Sequence, residues 1–184
     1  NIYTDGLKVY TTIDSRMQKY AEEAVYAHVA RYLQPAFNAE NKKKPNAPFT
    51  DQLSSKEVNQ IMKKAMVQSD RYRTMKEAGF SEEEMLASFH KPVDMTVYAY
   101  HGDIDTIMTP YDSIRYYKSF LRSGFVSMDP RTGYVKAYVG GLDFSHFQYD
   151  MVMGGRRPVG STIKPFLYSL AMEHGFSPSA LAPN

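Results

Sequence analysis

The chain has 184 residues, 43% of them apolar, a formal net charge of +2 and no cysteine. That length and apolar content suit one globular domain or slightly more. The near-neutral charge leaves no footprint for nucleic acid, and the lack of cysteine excludes disulfides and thiol chemistry. No apolar run is long enough to span a bilayer, and no signal peptide opens the chain.

Residues 7–13 alternate and are rich in β-branched side chains, which predicts a strand. Asp14 then caps a helix whose face is Met17, Tyr20, Ala21, Ala24, Val25 and His28, running to Pro35. His28 on that face reads as a core histidine rather than a ligand. Residues 38–48 form a polar loop, and Lys42-Lys43-Lys44 reads as a solvated charge run rather than an anion-binding patch.

Ser54-x-x-Glu57 is a capping box. Val58, Ile61, Met62, Ala65 and Met66 supply the buried stripe of the helix behind it. Methionines at this spacing fill a core rather than bind a metal. Gly79 ends the helical region and Ser81-x-x-Glu84 opens another short helix. Residues 93–100 and 104–108 predict a hairpin turning at His101-Gly102-Asp103. His101, Asp103 and Asp105 could share one face of it, but hairpin polarity accounts for them and no metal is assigned.

Thr109-Pro110-Tyr111-Asp112 is a helix start with proline at its first position. Ile114, Tyr117 and Leu121 line that helix and Gly124 stops it. A second hairpin follows, residues 125–129 and 134–141, with Pro130-Arg131-Thr132-Gly133 at its turn. The loop 142–153 leads into Gly154-Gly155-Arg156-Arg157-Pro158-Val159-Gly160-Ser161-Thr162-Ile163-Lys164-Pro165. Ile163, Phe166, Leu167, Leu170 and Ala171 then recur as one buried helical stripe, and Gly175 is the stop.

The chemistry is concentrated in that last segment. Ser161 and Lys164 are three residues apart and share a helix face. A hydroxyl becomes a nucleophile when a neighbouring base takes its proton, and lysine is a base only when neutral. Burial and nearby positive charge favour the neutral amine. Gly160 removes a side chain where a substrate would approach the hydroxyl. Arg156 and Arg157 could hold an acidic group of a substrate, or equally form an ion pair that positions the loop. On spacing alone, Ser161 as a helix cap with Lys164 on the surface is the favoured reading, because serine and lysine are common and S-x-x-K by itself is a weak signal.

The run from Gly155 to Tyr168 strongly resembles the active-site segment of penicillin-binding proteins, whose signature includes S-x-x-K. Val9 to Ala24 resembles the entry to the transpeptidase half of the bifunctional class A members of the 1A type. The hairpin at 125–141 resembles the first two strands of their transpeptidase sheet. Arg131-Thr132-Gly133 mimics the basic-Thr-Gly triad of these enzymes, but that triad follows the serine helix, so the match is rejected.

The resemblance implies an α+β fold, an incomplete transpeptidase fold of antiparallel strands with packed helices. The expected divisions are 1–37 for the entry strand and first helix, 38–108 for a linker with inserted helices and a hairpin, and 109–184 for the start of the transpeptidase domain. It implies a peptidoglycan synthase that cross-links stem peptides through an acyl-serine, with Ser161 as nucleophile and Lys164 as proton acceptor. The parent would also carry a glycosyltransferase. It would bind peptidoglycan stem peptides on glycan strands derived from lipid II, and β-lactams, without a metal or cofactor. It would sit on the extracytoplasmic side of a bacterial membrane through an anchor elsewhere in the parent, with envelope proteins as further partners. One oxyanion donor would be the Ser161 N–H and the other would come from a later strand. No S-x-N or K-T-G follows Lys164, so the 184 residues alone are expected to be inactive and to be a piece of a longer chain. Two alternatives stay open: a β-lactamase-like Ser-Lys hydrolase, and a non-catalytic module that docks envelope proteins.

Overall fold

Helix α1 (Ser15–His28) starts where Asp14 leaves the extended conformation and accepts hydrogen bonds from the backbone N–H groups of Arg16 (2.9 Å) and Met17 (3.2 Å). In the computed structural model, which describes residues 4–181, the chain forms two compact units. The first runs to Met153 and the second begins at Gly154.

The strand expected at 7–13 is absent. Val9 and Tyr10 are 80% and 89% exposed, so the alternating pattern has no second surface to pack on. What survives is its tail. The Thr12 hydroxyl donates to the Val135 carbonyl (2.7 Å) and the Asp14 N–H to that of Lys136 (2.9 Å).

Helix α1 does not end at Pro35. A widened π turn, Val29–Leu33, passes directly into α2 (Gln34–Asn41). Pro35 has no N–H for the carbonyl four residues back, and the wide turn lies just before it. His28 is exposed rather than in the core, with its ring 5.8 Å from that of Tyr32.

Both expected capping boxes form. Ser54 opens α3 (Ser55–Val67) and Ser81 opens α5 (Glu82–Ser88), with α4 (Asp70–Glu77) between them. Val58, Met62, Met66 and Met85 are buried with Phe89, as a 3.6-residue period requires. Strands β1 (Val93–Val97) and β2 (Ile104–Met108) pair antiparallel, Val93 opposite Met108. The strand ends three residues earlier than its pattern suggests, because Tyr98 and Tyr100 turn into an aromatic cluster.

Thr109 caps α6 (Pro110–Lys118), which packs on α3. This helix stops at Lys118, so Gly124 is not its terminator. Gly124 is instead a point of close approach. A Cβ there would lie 2.8 Å from Val152 Cγ2 and 3.2 Å from the Val152 nitrogen. Strands β3 (Phe125–Met128) and β4 (Val135–Val139) form the second hairpin, with a register shift at Ser127/Met128. Arg131 is exposed in its turn.

Two further buried clusters lie among the described residues of the first unit. Ala21 of α1 meets Ala137 and Val139 of β4, with Val25 against them. Tyr98, Phe120 and Phe147 form the other, with Tyr100, Tyr116 and Tyr117 around them. Its rings meet edge to face, Tyr98–Phe147 at 5.0 Å and 82° and Tyr116–Phe120 at 5.0 Å and 81°. Each such pair adds about 0.5–1.5 kcal/mol to its burial. Helices with two small antiparallel hairpins give the α+β class that the sequence implies. Among the described residues, no helix is long and apolar enough to cross a membrane.

Candidate active site

The second unit holds the residues singled out for chemistry. Gly160–Ile163 form a 3₁₀ turn that continues directly into α7 (Lys164–Glu173). Ser161 is the second residue of the turn and Lys164 the first of the helix. In a 3₁₀ turn, residues three apart eclipse, so the backbone carries the two side chains on one side. Both are exposed, and among the described residues no hydrogen bond joins them. Ser161 does not cap the helix, since neither the turn nor α7 has a side-chain cap. Thr162 is the residue whose hydroxyl turns back, donating to the Val159 carbonyl (2.5 Å).

Gly160 has φ +51°, a conformation that costs a residue with a Cβ about 1–2 kcal/mol. A Cβ there would meet nothing within 4 Å. Its backbone shape, rather than open space over the hydroxyl, is what requires glycine at this point. Arg156 and Arg157 are both exposed, and among the described residues neither forms an ion pair.

The expectation that α7 is buried is overturned. Phe166 is 72% exposed, and Leu167 and Leu170 are more than half exposed. Among its described residues the unit contains only the 3₁₀ turn and this ten-residue helix, so within the unit the apolar stripe has no second element to cover it. The helix end does follow the sequence. The Phe176 N–H donates to Ala171 O (3.0 Å) and that of Gly175 to Met172 O (3.0 Å), a Schellman closure.

The loop that ends at Met153 is fixed by residues that the sequence pattern did not reveal. Asp150 accepts from the Tyr138 hydroxyl (2.5 Å) and from the N–H groups of Val152 (2.8 Å) and Met153 (3.1 Å). Those bonds, the Tyr138 hydroxyl first, hold its carboxyl below the ordinary carboxylate range. His146 lies between two carboxylates, Asp143 Oδ1 at 3.1 Å from Nδ1 and Asp103 Oδ2 at 3.2 Å from Nε2. Asp103 therefore serves the loop, and Asp105 accepts from the Thr96 hydroxyl (2.7 Å). Among the described residues no cluster is suited to a metal ion. Phe147 anchors the same loop in the aromatic cluster, with the Arg122 guanidinium 3.7 Å above its ring. Burial pushes the Tyr98 phenol well up, and that of Tyr100 up to about 12.

Two glutamines were equally hidden. Buried Gln34 donates to Asn38 Oδ1 (2.9 Å) and the Ser119 carbonyl (2.9 Å), and accepts from the Leu121 N–H (2.9 Å) and the Tyr100 hydroxyl (3.1 Å). Gln18 of α1 donates to the Tyr138 carbonyl (2.8 Å) and accepts from its N–H (2.7 Å). Its amide thus stands where a neighbouring strand would pair with β4. Single polar residues on a helix have no periodic signature, so only their partners disclose them.

Comparison with known proteins gives a consistent family. Residues 44–121 match the family model described as the penicillin-binding protein middle domain. Penicillin-binding protein 2D of Bacillus subtilis is 44% identical over 63 residues, 34% of this chain and 9% of that protein. Penicillin-binding protein 1A of Vibrio cholerae is 26% identical over 210 residues, covering 97% of this chain and 26% of that protein. The corresponding protein of Neisseria flavescens is 27% identical over 204 residues, 97% and 25% respectively. No solved structure gives a significant match. The chain spans about a quarter of the length of the relatives that it matches from end to end. The chain is thus similar to penicillin-binding proteins of the 1A type along nearly its whole length, and to the penicillin-binding protein middle domain over residues 44–121.

Proposed function

We propose that the chain is part of a D,D-transpeptidase that cross-links peptidoglycan stem peptides through Ser161. The observation that carries this reading is the Ser161–Lys164 pair, eclipsed on one turn entering α7 behind a glycine of positive φ. The Ser161 hydroxyl attacks the carbonyl of the penultimate D-alanine, and its proton passes to the Lys164 amine. The tetrahedral intermediate collapses, the bond to the terminal D-alanine breaks, and that proton goes to the leaving amine. An amine of a second stem peptide then attacks the acyl-serine and releases the cross-linked product. Penicillins acylate the same hydroxyl by opening their lactam ring. Arg156 and Arg157, exposed and without acidic partners among the described residues, would hold a carboxylate of the substrate.

Residues 1–184 alone do not turn over, since no S-x-N or K-T-G motif follows Lys164 to complete the site. The parent acts at the extracytoplasmic face of a bacterial membrane, where its substrate is. The test is the intact mass of the full-length protein after benzylpenicillin. A single adduct that disappears in Ser161→Ala is the expected result. An adduct that persists in Ser161→Ala would refute the assignment. Release of D-alanine from a stem pentapeptide by residues 1–184 would refute the inactivity.

A further inference from the structure

We propose that the cleft between α1, β4 and the loop after it is a binding site for an organic cation with an apolar body. The cleft has a volume of about 600 Å³, within the range of small-molecule sites. Aromatic side chains contribute to its wall, with Tyr26 from α1, Tyr138 from β4, and Phe144, Phe147 and Tyr149 from the loop. Phe144 is 78% exposed and Tyr149 62%, so both rings keep more than half of their surface accessible. Large rings left in water around a concavity mark a surface with something to cover it.

Charge selects the ligand. Glu22 and Glu23 of α1 border the cleft, both exposed, and among the described residues no lysine, arginine or histidine lines it. Glu23 is engaged only at 3.8 Å by Lys19, and Glu22 accepts from the Gln18 amide (2.7 Å). The third carboxylate, Asp150, has both oxygens occupied by Tyr138 and by backbone N–H groups. An anion would face both carboxylates, Glu22 neutralised by no cation among the described residues and Glu23 only by Lys19 at 3.8 Å. An ammonium group would meet those carboxylates beside aromatic rings, the combination that recognises alkylammonium ligands. The site lies entirely within the first unit and is independent of the acyl-transfer reading.

The test titrates the 184-residue chain with benzyltrimethylammonium, benzyl alcohol and phenylacetate, following NMR resonances. The ammonium is expected to shift resonances of the cleft saturably and to bind at least about fivefold tighter than the alcohol, the factor two exposed charge pairs supply. Phenylacetate is expected to bind weakest. Glu22→Gln with Glu23→Gln should bring the ammonium to the level of the alcohol at unchanged thermal unfolding. Ionic strength gives a second readout that needs no variant. Raising it from about 0.01 M to 0.15 M should weaken the ammonium and leave the alcohol unchanged. Equal binding of all three probes, shifts that map elsewhere, or no shift at millimolar ammonium would overturn the proposal.

Discussion

Replacing Gln34 by leucine removes the polar hub of the first unit while keeping the volume and the helix. The Leu121 N–H and the Ser119 carbonyl both lose their partner in the amide. Each orphaned group costs about 1–3 kcal/mol where water cannot reach it. Asn38 is exposed, so its amide turns to water at little cost. The apolar side chain returns about 1.5 kcal/mol of the two losses by its own burial. Two groups at about 2 kcal/mol each, less that return, give a net destabilisation of about 2–3 kcal/mol. Urea unfolding reads it directly, as a fall in midpoint at constant slope. A coupled variant sharpens the test. Tyr100→Phe removes the hydroxyl that donates to Gln34 (3.1 Å), and its cost should shrink by about 0.5–1.5 kcal/mol when leucine is already at 34. A loss below about 0.5 kcal/mol for Gln34→Leu, or strict additivity with Tyr100→Phe, would refute the hub, because exposed substitutions fall in that range.

Gly124→Ala places a methyl 2.8 Å from Val152 Cγ2 and close to its backbone, and should cost about 1–3 kcal/mol in the same assay. A neutral result would mean that the loop yields freely. Gln18→Ala uncovers the edge of β4 by removing both bonds to Tyr138, and should cost about 1–2 kcal/mol and increase self-association in sedimentation. Asp150 gives a pH signature. Its folded pKa is depressed, chiefly by the Tyr138 hydroxyl, so its contribution is present above the unfolded value near 3.9 and fades as pH falls through the folded one. Acid unfolding of Asp150→Asn should therefore lose part of the pH dependence that the unaltered chain shows between neutrality and acid, and an identical profile would exclude the role. Tyr100 acts at the other extreme. Its folded pKa is pushed up to about 12 by burial, so its stabilisation is complete below the unfolded value of about 10 and is lost as pH rises towards 12. Phenolate absorbance of Tyr100→Phe should lack one late-titrating group.

Local chemistry was legible in the sequence wherever neighbours along the chain supply the partner. Asp14, Ser54, Ser81 and Thr109 cap the helices they precede because a cap needs only the N–H groups two or three residues on. The two hairpins follow from the same short-range order. Alternation at 7–13 and the stripe on α7 misled because a periodic pattern states what a surface wants and not whether a partner exists. Those side chains stay in water. The tertiary structure alone decided what distant groups do to one another. It sets Gln34 against Ser119 and Leu121, Gln18 against the edge of β4, His146 between Asp103 and Asp143, and five aromatic residues around Phe120. Hydrogen bonds and ring contacts between residues tens of positions apart leave no periodicity in the chain, so they exist only once the fold has brought the groups within a few ångströms.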